Sequence, residues 1–164
     1  MIKKIIYIAI GIIFVVITIK CKKDSSGNII IPGINTSMSA KVNGVDWSSI
    51  VRVCNKSGNT ITLTGTSLDG KIIVVNITPN VSTDSLAINT NYNLILTTMY
   101  KDSLNTNVND ICIAASGTVK LTQLDKSQKL ISGTFNFTGL SAAIPPKTVT
   151  ITAGDFENVS YIGN

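Results

Sequence analysis

Gly117 to Phe137 runs Gly-Thr-Val-Lys-Leu-Thr-Gln-Leu-Asp-Lys-Ser-Gln-Lys-Leu-Ile-Ser-Gly-Thr-Phe-Asn-Phe, and the fold class follows from how these residues alternate. Val119 and Leu121 alternate with Thr118, Lys120 and Thr122. Beyond the polar run Asp125 to Lys129, Ile131, Gly133, Phe135 and Phe137 alternate with Ser132, Thr134, Asn136 and Thr138. A period of two puts one set of side chains on a buried face and the other in water, so the stretch reads as an antiparallel β-hairpin laid over a core. Thr148 to Ala153 repeats the pattern, with Val149 and Ile151 inward and threonines outward.

The same reading extends toward the N-terminus. Asn43-Gly44 is a strong hairpin signal, because both central positions of a two-residue turn take positive φ, and it joins Ser39–Val42 to Val45–Ser48. Trp47, the only tryptophan, reads as a core plug rather than a ligand platform. Ile50 to Cys54 and Thr60 to Thr66 flank a Ser57-Gly58-Asn59 turn. Asp69-Gly70 leads into Lys71 to Thr78, whose Ile72-Ile73-Val74-Val75 run suits a central strand. Pro79 to Asn91 is a polar connection. Tyr92 to Thr98 reads as a strand with Tyr92, Leu94 and Leu96 on one face, Tyr100 to Asp110 as a second loop, and Ile111 to Ala115 as the approach to the first-named hairpin. Gly154-Asp155 marks a bulge before Phe156, Val159 and Tyr161. About nine to ten short strands with near-regular turns and no helix predict an all-β fold, an antiparallel β-sandwich or partly open barrel. The inward set (Val119, Leu121, Ile131, Phe135, Phe137, Val149 and Ile151, joined by Trp47, Leu94 and Leu96) is bulky and apolar. Such residues predict a filled interior, with function left to the outer face or to loops 79–91 and 99–110.

The first residues belong to a different kind of segment. Lys3 and Lys4 precede an unbroken apolar run, Ile5 to Ile19, which ends close to Cys21. The run is shorter than the ~20 residues of a spanning helix and has the layout of a signal peptide. The chain therefore divides into a lipoprotein signal peptide (1–20), a lipidated Cys21 with its tether (21–37) and a single β domain (38–164). Lys20 occupies the position where lipoprotein signals usually carry a small residue, so an uncleaved N-terminal anchor is the competing reading. Both place the domain outside the cytoplasm; the lipoprotein reading makes it an outer-membrane lipoprotein of the cell envelope, held to the membrane through its N-terminal lipid and either periplasm-facing or surface-exposed. Ser25-Ser26-Gly27 gives the tether reach, whereas Ile29-Ile30-Ile31-Pro32 is apolar enough for an edge strand.

Charge and composition exclude several functions. The chain has 14 basic and 9 acidic residues; taking Lys3, Lys4 and Lys20 away with the signal leaves 11 against 9, a net charge of +2. No basic patch interleaved with aromatics is left to hold nucleic acid. Histidine is absent, which removes the commonest general base and most transition-metal sites. Glu157 is the only glutamate, and Asp46, Asp69, Asp84, Asp102, Asp110, Asp125 and Asp155 lie mostly in or beside turns, where a carboxylate bonds its own backbone. No metal-binding loop, phosphate-cradling glycine loop or Cys-x-x-Cys pair is present, and no cofactor is implied. The chain reads as no enzyme but as a binding or structural module with an envelope protein or glycan partner; the alternative is a hollow barrel carrying a small apolar ligand. Cys54 and Cys112 form a candidate disulfide in an oxidising compartment, or else two separate buried thiols.

Three stretches carry a family resemblance. Ala40-Lys41-Val42-Asn43-Gly44-Val45-Asp46-Trp47, the hairpin Gly117 to Phe137 and Val149-Thr150-Ile151-Thr152-Ala153-Gly154-Asp155-Phe156 together resemble a family of Bacteroidota envelope lipoproteins of unknown function. The likeness spans roughly Met38 to Ile162, with Thr90 standing where family members often have glycine. It implies a β fold opened by a Trp-bearing hairpin and brings no catalytic residues with it. In that setting Asp84-Ser85-Leu86 and Asp102-Ser103-Leu104 resemble O-glycosylation acceptors of such envelope proteins, making Ser85 and Ser103 candidate modification sites.

Overall fold

The computed structural model describes residues 36–79, 86–94, 98–102 and 108–163. Eleven strands follow in chain order: β1 (Ser37–Val42), β2 (Val45–Ser48), β3 (Val51–Ser57), β4 (Thr60–Thr66), β5 (Ile72–Ile77), β6 (Asn91–Asn93), β7 (Met99–Lys101), β8 (Ile111–Asp125), β9 (Leu130–Ser141), β10 (Thr148–Ser160) and β11 (Ile162–Gly163). A single 3₁₀ turn, Val108–Asp110, precedes β8. They form one sheet in the order β11-β3-β4-β5-β7-β8-β9-β10-β1-β2, with β6 also paired to β8. The fold is all-β, as the alternation predicts. The pairing is antiparallel except between β11 and β3, which is parallel.

The sheet does not close into a barrel, and one short bend is the reason. β2 pairs with β1, and β3 pairs with β4. Between them the chain changes neighbour: Ser49 N–H donates to Met38 O at 2.9 Å, and Ile50 N–H donates to Thr66 O at 2.8 Å. Above that switch, among the described residues, no strand lies beside the outer edge of β2. Gly65 on β4 shows how closely the two regions pack, because a Cβ there would lie 2.6 Å from Met38 Sδ and 2.8 Å from Trp47 Cη2.

The long hairpin of β8 and β9 is the centre of the sheet. Its turn, 126–129, is tied by Asp125, whose Oδ1 accepts the N–H groups of Ser127 (2.8 Å) and Gln128 (2.9 Å). The bond from Gln128 N–H leads the interactions that hold the Asp125 carboxyl below the usual carboxylate range. Asn43 and Gly44 both take positive φ (49° and 83°), the conformation that a two-residue hairpin turn requires. β10 is longer than the alternation indicates, because two irregularities let it continue. Its register slips between Ile151 and Gly154 and again between Phe156 and Val159, where Ala153 and Asn158 each take φ of 48°.

Val119, Leu121, Ile131, Phe135, Phe137, Val149 and Ile151 are all buried, together with Trp47 and Leu94, while Leu96 lies outside the described residues. Phe135 and Phe156 meet with ring centroids 6.4 Å apart. Each ring lies against a glycine on the neighbouring strand, since Gly133 pairs with Phe156 and Gly154 with Phe135. Leu86, within the stretch read as a polar connection, is also buried in the core, and Tyr92 pins its neighbour by donating from its hydroxyl to Ala87 O at 3.0 Å.

Antiparallel alternation gives the molecule two ends. The upper end gathers the turn Asn43–Gly44, the turn 67–71, Asp102 with the 3₁₀ turn before β8, and the loop 142–147. The lower end gathers the turns 58–59 and 126–129 and the entry of the chain into β1, where Ser37 pairs with Glu157. Ordered strand begins one residue before the boundary read at Met38.

Candidate functional site

The upper end carries a cleft of about 520 Å³, and the bend between β2 and β3 accounts for it. One wall is the first hairpin, from Val42 to Ser48, and the facing wall is the turn Ser67, Leu68, Asp69 and Lys71; Tyr100 on β7 and Asp102 just after it also line it. The turn bonds much of its backbone within itself. Ser67 N–H donates to Lys71 O at 2.9 Å, Gly70 N–H to Ser67 O at 3.1 Å, and Lys71 N–H to Ser67 Oγ at 3.1 Å. The other wall does not. In an antiparallel pair, alternate residues bond the partner strand, and Ser49 bonding Met38 sets the phase in which Val45 and Trp47 face β1. The backbone N–H and C=O of Asp46 and Ser48 therefore point to the open edge.

The side chains in the cleft are apolar toward the interior and charged at the rim. Trp47 is only 5 % exposed, and its Nε1 is buried with no hydrogen-bond partner among the described residues. Val45 (67 % exposed) and Leu68 (85 %) are large apolar side chains left in solvent on facing walls. Tyr100 is buried, and its hydroxyl donates to Asp102 Oδ1 at 2.7 Å. Burial, followed by that bond to a carboxylate, pushes the phenol well above its ordinary range, so it stays a proton donor. Asp46 pairs with Lys41 at 2.6 Å and Asp69 with Lys71 at 2.7 Å. A smaller furrow of about 110 Å³ shares Asn43, Tyr100 and Asp102 and continues toward Asp110, Cys112 and Lys147.

Asp69 offers a direct check on this rim. The Lys71 ammonium, then the Ser67 hydroxyl, hold its carboxyl at about 2 against an ordinary 3.8. A depressed folded-state value means the contribution to stability is complete above about 3.8 and disappears as the pH falls through about 2. Carboxyl-detected NMR titration should find a midpoint near 2 for Asp69, and Lys71→Ala should move it upward. Titration at the ordinary value in the unsubstituted protein would contradict the pairing. The pair is exposed, so the effect on global unfolding is small.

The residues singled out from the sequence fall in several places. Cys21, Ser85 and Ser103 lie outside the described residues, as do the signal peptide and nearly all of the tether. Cys54 and Cys112 are not bridged. Both are buried, unbridged thiols, on β3 and β8, with β4, β5 and β7 between those strands in the sheet. Burial pushes the Cys54 thiol up to about 12, and Cys112 Sγ sits 3.9 Å from Lys147 O. The stretch 99–110, read as a loop, supplies the strand β7 as well as Asp102. Trp47 is the core plug expected of it and also a wall of the cleft. Leu68, Tyr100 and the unpaired edge of β2 carry no sequence signal. Tyr100 sits in a three-residue strand, too short to show a period, and the edge depends on which strand β3 joins. Among the described residues no group of three or more Cys, Asp or Glu side chains is placed to hold a metal ion.

Among the described residues, fold and site together define an all-β domain with a packed interior in which the outer edge of β2 lies open beside an apolar cleft. The chain belongs to the DUF6252 family, a domain of unknown function, which matches residues 34–160. No curated protein and no solved structure matches it.

Proposed function

We propose that this protein is a lipid-anchored, non-catalytic binding module of the cell envelope, and that it binds at its upper end. The observation that carries this reading is the placement of the cleft. The chain enters β1 at the lower end, so a lipid on Cys21 and the 15 residues to Thr36 would hold that end toward the membrane and leave the cleft facing away. The anchor itself rests on the sequence: Lys3 and Lys4, the apolar run and Cys21. The buried inward set supports binding at the mouth rather than carriage inside a hollow barrel. The absence of histidine and the self-paired rim carboxylates support binding without chemistry.

Two measurements test the two halves of the proposal. Cys21→Ser should leave the protein as unprocessed precursor or release it from membranes; an intact mass for the unsubstituted protein that retains Met1 and lacks acyl chains would end the anchor reading. Because Trp47 is the only tryptophan and lines the cleft, its emission reports occupancy. A compound that shifts this emission saturably should be recovered chemically unchanged. Recovery of a converted product would make the protein an enzyme and overturn the proposal.

A further inference from the structure

The open edge of β2 goes further than a generic binding end, because it specifies the form of the occupant. Among the described residues β2 is one of the two terminal strands of the sheet path, and all four of its residues line the cleft. The edge is four residues long and is flanked above by the Asn43–Gly44 turn and below by the switch to β4. The facing turn bonds the N–H groups of Ser67, Gly70 and Lys71 within itself, so those donors do not compete for the edge. Unpaired strand edges accept extended peptides, with backbone bonds giving affinity and alternate side chains giving specificity.

We propose that the cleft binds an extended peptide segment of a partner protein, added as a strand to the free edge of β2. Its backbone bonds the N–H and C=O groups of Asp46 and Ser48. Alternate residues of the peptide turn inward, where Val45, Trp47 and Leu68 offer apolar surface, so those positions are apolar. The intervening positions face solvent and are polar. Charge narrows the choice. The cleft lining holds Asp46, Asp69 and Asp102 against Lys71, and Lys41 beside it pairs with Asp46. One carboxylate more than the nearby ammonium groups favours a peptide carrying a basic residue next to its apolar ones. The short edge, with a charged residue at its centre, limits pairing to a brief segment and discourages stacking of long strands.

This inference rests on the reading of the upper end as the binding end, and the test separates the two. The probe is an acetylated, amidated hexapeptide, Lys-Val-Thr-Val-Thr-Val, together with a version N-methylated at the alternate residues whose N–H groups would face β2. In ¹⁵N-correlated NMR spectra the plain peptide should shift the Asp46 and Ser48 amides and slow their exchange. It should change Trp47 emission, with a dissociation constant between roughly 10 μM and 1 mM. The N-methylated peptide, which keeps the side chains and loses the donors, should bind at least about tenfold more weakly. Equal binding of both peptides with a change in Trp47 emission would overturn strand addition while leaving the cleft a binding site. No perturbation of β2 or of Trp47 by the plain peptide up to about 5 mM, well beyond the weakest affinity expected, would overturn the peptide proposal. A saturable Trp47 response to a non-peptide compound in the same assay would then preserve the binding-end reading alone.

Discussion

Phe135→Ala should lower the free energy of unfolding by about 3–5 kcal/mol. Phe135 is almost fully buried, pairs across the sheet with Val119 and Gly154, and meets the ring of Phe156. Removing the ring takes away its transfer free energy and leaves a void bounded by two sheet strands. Strands held by ladder hydrogen bonds on both sides relax inward poorly, so the cavity persists and its cost adds to the transfer term. Losing the contact with Phe156 removes roughly 0.5–1.5 kcal/mol beyond area burial. Equilibrium urea unfolding measures the change, read as a shift in midpoint at constant slope. The cleft is formed by other strands, so the Asp46 and Ser48 amides should keep their resonances. A loss below about 1 kcal/mol would mean that the interior is loosely filled, and would reopen the case for a hollow carrier.

Gly133→Ala should be costly for the opposite reason. A Cβ at Gly133 would press on the carbonyl oxygen of Lys120 and lie 2.6 Å from Cζ of Phe156. The ring of Phe156, fully buried, has nowhere to go, and the Lys120 carbonyl belongs to the ladder between β8 and β9. Relief therefore requires separating two central strands or expelling a ring. Overpacking of this kind costs about 1–3 kcal/mol and sometimes more, and the involvement of backbone places this case at the upper end. The same substitution at Gly44, where no atom lies within 4 Å of the added Cβ, meets no packing obstacle and pays only for positive φ. Comparing the unfolding midpoints of the two variants separates packing from backbone strain. Equal losses would show that the ring of Phe156 and the strand behind it yield to the added methyl group, and would contradict the packing account.

Much of the fold was legible because alternation survives wherever a strand is half-buried. The β8–β9 hairpin, β4 at Thr60–Thr66 and the Asn43–Gly44 turn follow from residue pattern and turn chemistry alone. The exceptions have local causes. β10 continues to Ser160 because its bulges at Ala153 and Asn158 restore the inward phase after each slip, and a reader counting by twos sees the strand end there. β7 has three residues, fewer than two periods. The parallel pair of β11 with β3 joins segments more than a hundred residues apart, with nothing in either to announce the other.

The site was less legible than the fold. Trp47 read correctly as a core residue, since burying so large a side chain dominates its placement. What makes it a cleft wall is the handover of the chain from β1 to β4 at Ser49 and Ile50, and that depends on long-range pairing. Asp69 and Asp102 each read as turn aspartates; the sheet order, not their own neighbours, brings them to one cleft. Cys54 and Cys112 met the compositional conditions for a disulfide, and the structure holds them as free buried thiols on strands that are not neighbours in the sheet.

Amide hydrogen exchange along β2 tests the open edge most directly, without any ligand. The Trp47 N–H, bonded to β1, should exchange orders of magnitude more slowly than the N–H groups of Asp46 and Ser48, which face the cleft. Equal strong protection at all three positions would mean that the edge of β2 is already paired in the folded protein, and would contradict both the cleft as a binding end and the strand it is proposed to accept.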